Sequence, residues 1–172
     1  TGDRYPWWNL QPGYPEGHFP QLPPGVYANG GLFPLVGADL CRACFEHGYP
    51  ERGWLRFNEF WEQVKADRGA CMTWYTRDGR AASNTHWTTI HDGWGIAFWG
   101  RAAIEGIVGV KPLAPAMQHC QIRLNWHIGG VDRARACIAA PSSRTYIAYD
   151  YRCDGADVTI RFTGTGSEVT FI

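Results

Sequence analysis

The hydrophobic positions change their period along the chain, and each change predicts a new kind of element. Residues 1–31 have no period. They are broken by Pro6, Pro12, Pro15, Pro20, Pro23, Pro24 and several glycines, which predicts an extended segment without helix. Its aromatics, Trp7, Trp8 and Tyr27 among them, predict a loop packed on the fold rather than a linker. A helical period then runs from about Leu32 to His47, with Pro34 in the first turn and Gly48 as a stop. A second helix, about Glu51 to Ala66, places Trp54, Phe57, Phe60, Trp61 and Val64 at spacings of three and four. The three residues 48–50 between them make an antiparallel helix hairpin. Residues 68–93 read as irregular. A third helix, about Trp94 to Val108, is apolar on more than one side and is expected to be heavily buried.

Beyond Pro115 the period falls to two. Strands are predicted at 120–127, 133–139, 145–152, 156–162 and 167–172, separated by Gly129-Gly130, Asp154-Gly155 and Gly164-Thr165-Gly166. Five short strands in series predict an antiparallel meander. The expected class is therefore α+β, with a helical region at 1–115 and an antiparallel β-rich tail at 116–172.

Composition adds one feature. Aromatics make up 15% of the chain, including nine Trp, and aromatic faces can stack on sugar rings as well as fill a core. Lys+Arg and Asp+Glu both number 16, so charge gives no reason to expect nucleic acid as a partner. There is no apolar run of 18 residues, and no membrane span is expected. The start at Thr1 lacks an apolar targeting segment, favours a cytoplasmic location, and points to a processed chain or a piece of a longer one. Cys41 and Cys44 form an isolated C-x-x-C inside a helical pattern, which reads as two small reduced residues on a helix face. No metal and no cofactor is expected.

Several segments carry a family resemblance. They are Tyr27-Ala28-Asn29-Gly30-Gly31-Leu32-Phe33-Pro34, then Leu40-Cys41-Arg42-Ala43-Cys44-Phe45-Glu46-His47-Gly48, then Gly93-Trp94 followed by Glu105-Gly106-Ile107-Val108-Gly109-Val110-Lys111-Pro112. Their order, followed by a β-rich tail, resembles the closing part of six-hairpin (α/α)6-barrel glycoside hydrolases and phosphorylases, cellobiose-phosphorylase-like enzymes and related bacterial glycosidases among them. The resemblance covers about residues 25–172. It implies the C-terminal helices of an (α/α)6 barrel followed by the sheet tail, and activity on oligosaccharides or glycosides. Such a barrel has twelve helices, so the remainder of the barrel, a second chain or self-association is expected to complete it. A non-catalytic carbohydrate-binding or scaffolding protein of the same superfamily is the other reading.

Candidate sugar-contacting residues are Trp7, Trp8, Tyr27, Asn29, Trp74, Tyr75, His86, Trp87, His91 and Trp94. The rings offer stacking faces and the polar groups can pair with hydroxyls, whose loss leaves a buried partner unpaired. Each of these tryptophans could equally pack in a core, and for Trp54, Trp61 and Trp99 the core is favoured. Glycoside hydrolysis uses two carboxylates. In several inverting relatives the base is a Glu before an aromatic pair. The matching stretch here is Thr73-Trp74-Tyr75, with Thr73 at that position. Two readings follow. Phosphate replaces the base, bound near Asn84–Thr89 at a helix start, or Asp92 serves as the base from a neighbouring position. Asp78 reads as a turn residue, and Glu105 is expected to pair with a buried donor.

Overall fold

The computed structural model describes Tyr27 and residues 31–76, 78–79, 88–141, 143–165 and 168–172. These form an α+β fold. The helices are α1 (Pro34–Glu46), α2 (Pro50–Ala66) and α3 (Gly93–Ala102), and α3 passes directly into a π-helical turn at Ala103–Ile107. The strands are β1 (Val110–Pro112), β2 (His119–Ile122), β3 (Arg133–Ala139), β4 (Tyr146–Asp154), β5 (Asp157–Thr165) and β6 (Glu168–Phe171). None of the described helices is long and apolar enough to cross a membrane. Trp7, Trp8, Asn29, His86 and Trp87 lie outside the described residues, as do most of the expected aromatic N-terminal loop and most of the Asn84–Thr89 segment.

The chain divides into two compact units that interleave along the sequence. Unit 1 comprises 1–39 and 58–99, and unit 2 comprises 40–57 and 100–172. This is a different division from a sequential split between 115 and 116.

Within α1 the buried positions Pro34, Ala38, Cys41 and Phe45 recur every three or four residues, which is one helix face. The helix stops where Gly48 takes φ +82° and the Tyr49 N–H donates to Cys44 O at 2.8 Å, the six-to-one bond of a Schellman cap. In unit 1, Phe60 of α2 stacks on Trp99 of α3, with ring centroids 4.1 Å apart and planes 2° from parallel, and Trp99 is buried. Trp99 is thus core, as its place in a helical stripe implies. Trp61 is not. It is 51% exposed, because its position turns outward from the stripe that buries Val64.

In unit 2, two three-stranded sheets enclose a hydrophobic core. One has the order β1-β2-β6 and the other β3-β4-β5. Val110, Met117, Cys120 and Ile122 from the first sheet and its connections pack with Ala136, Ile147, Tyr149 and Tyr151 from the second. The second sheet is the antiparallel meander that alternation predicts, with Tyr149 opposite Ala136 and Phe162. The rest of the expected meander is different. β6 leaves β5 and pairs parallel with β2, Cys120 opposite Val169. The expected strand at 120–127 ends at Ile122 and gives way to a 3-10 turn at Trp126–Gly129. Strand structure also begins earlier, at Val110.

The third helix departs from expectation in two ways. Its last turn is π-helical rather than α-helical, and it is not heavily buried: Trp94, Ile96 and Phe98 are exposed while Trp99 and Ala102 are covered. An apolar composition on several sides states what a helix could bury, not what this chain supplies to cover it.

Candidate functional site

In unit 1 the starts of α1 and α3 are drawn together by two short backbone ties. Leu32 and Tyr75 form an antiparallel bridge with both N–H···O bonds at 2.8 Å. Cys71 and His91 form a parallel bridge, and the Asp92 N–H donates to Cys71 O at 2.8 Å. These ties leave little room at the helix starts. A Cβ on Gly95 would lie 2.8 Å from Cys71 Sγ, 3.0 Å from Asp92 Oδ2 and 3.3 Å from Pro34 Cβ. Two helix N-termini therefore open at one place, and each presents N–H groups without intrahelical partners.

Asp92 begins α3 and is 7% exposed. Its Oδ2 accepts the Gly95 N–H at 2.8 Å, and its carbonyl accepts the Ile96 N–H at 3.2 Å. This is a helix cap, with the carboxylate held against the positive end of α3. The same carboxylate faces the Cys71 thiol. Burial, and next the Asp92 charge, push that thiol up to about 11, so Cys71 remains protonated and is a poor nucleophile near neutral pH.

Thr73 is the residue expected from the sequence to stand at the position of a base Glu. Its hydroxyl is bonded to the hydroxyl of Thr89 at 2.9 Å and accepts the Thr89 N–H at 3.0 Å. Thr89 belongs to the segment expected to hold phosphate, but its pairing with Thr73 is not legible in the sequence, since nothing in the spacing of 73 and 89 announces a pair. What this pair offers a ligand is hydroxyl chemistry, with no charge.

The aromatic candidates divide. Trp74 and Tyr75 are buried. Trp74 meets Tyr27 edge-on at 6.5 Å between centroids, and a Cβ on Gly31 would lie 2.8 Å from its ring. Tyr75 donates no free face either; its hydroxyl accepts the Met72 N–H at 3.2 Å, and burial raises its pKa. Both are buried behind the paired starts of α1 and α3, the apex of unit 1, and do not line its surface. The Trp74 indole N–H is buried with no hydrogen-bond partner among the described residues. Trp94 is the opposite case, at 72% exposed on the first turn of α3, with Ile90 and His91 exposed just before it. Tyr27 is half-buried and packs on Phe33 at 5.3 Å. The structure thus brings Tyr27, Trp74, Tyr75, His91, Asp92 and Trp94 into unit 1, with Trp94 and His91 reaching solvent.

Of the other acidic candidates, Asp78 accepts from the Thr76 hydroxyl at 2.6 Å in a turn. Glu105, in unit 2, has a side chain only 9% exposed; it pairs with Arg101 at 2.6 Å and Arg42 at 3.6 Å. Among the described residues, no group of three or more His, Cys, Asp or Glu is arranged to hold a metal ion. Cys41 is a buried thiol donating to Gly53 O at 3.2 Å, and burial pushes its pKa up to about 12.

No family model, no curated protein and no solved structure matches the chain.

Proposed function

We propose that the chain is the closing portion of a carbohydrate-active enzyme of the six-hairpin type, acting on oligosaccharides or glycosides, and that the apex of unit 1 is its sugar-facing surface. The observation that carries this reading is Trp94. A large ring left 72% exposed at a helix start, three residues after the exposed His91, offers a stacking face with a hydrogen-bonding side chain close by in sequence. Trp74, Tyr75 and the two backbone ties support that surface from beneath. The order of the family-like segments from Tyr27 to Pro112 supplies the class.

The same geometry argues that this chain binds sugar without cleaving it unaided. Cleavage needs an acid with a base, or with phosphate, on opposite sides of the bond. Asp92 is committed to capping α3, and the Thr73 position offers a hydroxyl already paired with Thr89. A neutral hydroxyl pair in place of the base carboxylate favours phosphorolysis over hydrolysis within this reading.

Titration of the chain with a panel of neutral oligosaccharides, followed by tryptophan fluorescence and calorimetry, tests the proposal. At least one sugar is expected to bind. Trp94→Ala should weaken it by about tenfold, as for loss of one stacked ring worth about 1–1.5 kcal/mol, and Trp94→Phe should keep part of the affinity. The reading fails if no sugar binds, or if Trp94→Ala binds as well as the parent chain.

A further inference from the structure

Unit 2 holds a polar cleft of about 260 Å3, between the last turns of α1, the π-helical turn and the β1–β2 ladder. Its floor is one face of that ladder. Lys111 stands directly opposite Gln121, and Arg123 follows Gln121 by two residues, so their side chains emerge on the same side. Gly109 closes the ladder beyond Lys111. A Cβ there would lie 1.8 Å from the Arg123 carbonyl oxygen, so the close approach of the two backbones, tied by the Arg123 N–H to Gly109 O at 2.9 Å, requires glycine at this position.

The charges in the cleft are unequally engaged. Three cations, Arg42, Lys111 and Arg123, face two carboxylates, Glu46 and Glu105. Lys111 and Arg42 pair with Glu46, and Arg42 and Arg101 pair with Glu105. The Lys111 contact also holds the Glu46 carboxyl below its ordinary pKa. Arg123 has no carboxylate partner among the described residues. Its guanidinium makes one long contact, donating to Phe45 O at 3.4 Å, and the residue is exposed. A guanidinium carries five N–H donors in a flat fork matched to two oxygens of one anion. Most of that fork is unspent, at the mouth of a cleft whose lining charge sums to 3 − 2 = +1.

We propose that this cleft binds a small oxyanion, a phosphate or a sugar carboxylate, gripped by Arg123 with Lys111 and the Gln121 amide as further donors. The size suits such a ligand, since 260 Å3 is below the range of about 300–1,000 Å3 for drug-sized ligands. Glu46 borders the same space and sets the selectivity. Its charge opposes an anion placed too deep, and its removal should tighten binding.

Calorimetric titration of the full chain at low salt, with sodium phosphate and separately with sodium glucuronate, tests the site. At least one anion is expected to bind, with a Kd of about millimolar order. Arg123→Met should weaken it by about ten- to a hundredfold, the worth of hydrogen bonds to a charged group. Arg123→Lys should recover a part, having charge without the fork. Glu46→Gln should tighten binding severalfold. Phosphate binding with glucuronate silent assigns the site to phosphate, the reverse assigns it to a sugar acid, and binding of both assigns it to oxyanions generally. The proposal is overturned if neither anion binds at about 50 mM, far above a millimolar Kd, or if Arg123→Met and Arg123→Lys both bind like the parent chain. Because the Arg123 side chain makes only the one long hydrogen bond among the described residues, its truncation should leave the fold intact.

Discussion

Asp92 illustrates what a single residue can and cannot disclose from sequence. Its position before Gly93-Trp94, at the start of a periodic run, announces a helix N-terminus, and the structure places it there with Oδ2 bonded to the Gly95 N–H. The bond that makes it a good cap takes up Oδ2 and leaves Oδ1 as the carboxylate's other acceptor. Its backbone is fixed by Cys71, twenty-one residues away, whose carbonyl accepts the Asp92 N–H. Local spacing holds no record of that contact. The cap can be separated from the charge by substitution. Asn is as good an N-cap as Asp, so Asp92→Asn should change unfolding stability by less than about 0.5 kcal/mol. Asp92→Ala should cost about 1–2 kcal/mol. Urea unfolding of both variants measures this. Equal losses in the two would show that the negative charge, rather than the cap bond, holds the helix start.

At the scale of elements, every helix and most strands are legible because their apolar periods are long enough to be unambiguous. The π-helical turn is not. It depends on contacts that sequence spacing cannot express, all within unit 2. Phe45 of α1 lies between two glycines: a Cβ would lie 2.7 Å from its ring at Gly53 and 2.3 Å at Gly106. Asn125, buried, donates to the Gly106 carbonyl at 2.7 Å, and the Tyr149 hydroxyl donates to Val108 O at 2.6 Å. These donors take up carbonyls that a continuing α-helix would have bonded itself. The Trp54 indole in turn donates to Asn125 O at 2.8 Å and fixes the asparagine backbone. The parallel placement of β6 is equally invisible, since alternation reports a strand but not its partner. Two changes test the turn. Asn125→Ala should cost about 1–3 kcal/mol, the penalty for a buried carbonyl left unpaired. Gly106→Ala should cost about 1–3 kcal/mol by overpacking against Phe45. That cost should fall in a Phe45→Leu background, because the two sites touch. Strictly additive losses in the double variant would show that the glycine serves backbone conformation instead.

At the scale of the whole molecule, the composition promised more apolar surface than this chain covers, and the location of the excess is specific. In the β3-β4-β5 sheet, Val158, Ile160 and Phe162 share a face with Cys153, Tyr151 and Tyr149, by the register of β4 with β5. Tyr149 and Tyr151 are covered by the core, yet Val158, Ile160 and Phe162 are exposed, although Phe171 of β6 meets Phe162 edge-on at 5.8 Å. The core face of the sheet thus runs out past its cover at β5, which is also the edge strand. An apolar row on an unpaired edge is the arrangement that draws other chains to it. We expect the isolated chain to bind the apolar dye ANS and to associate as its concentration rises. A lysine in the middle of the row should suppress both, because it solvates the face and repels a second edge. Ile160→Lys is the variant of choice. Its side chain already reaches water at the edge, so the charge can extend into solvent and stability should fall by less than about 1 kcal/mol. Sedimentation velocity across a wide concentration range, with parallel dye titration, gives the answer. A parent chain that stays monomeric and dark with ANS would refute the expectation. Association that persists unchanged in Ile160→Lys would place the sticky surface elsewhere, with the exposed side of α3 around Trp94, Ile96 and Phe98 as the next surface to charge.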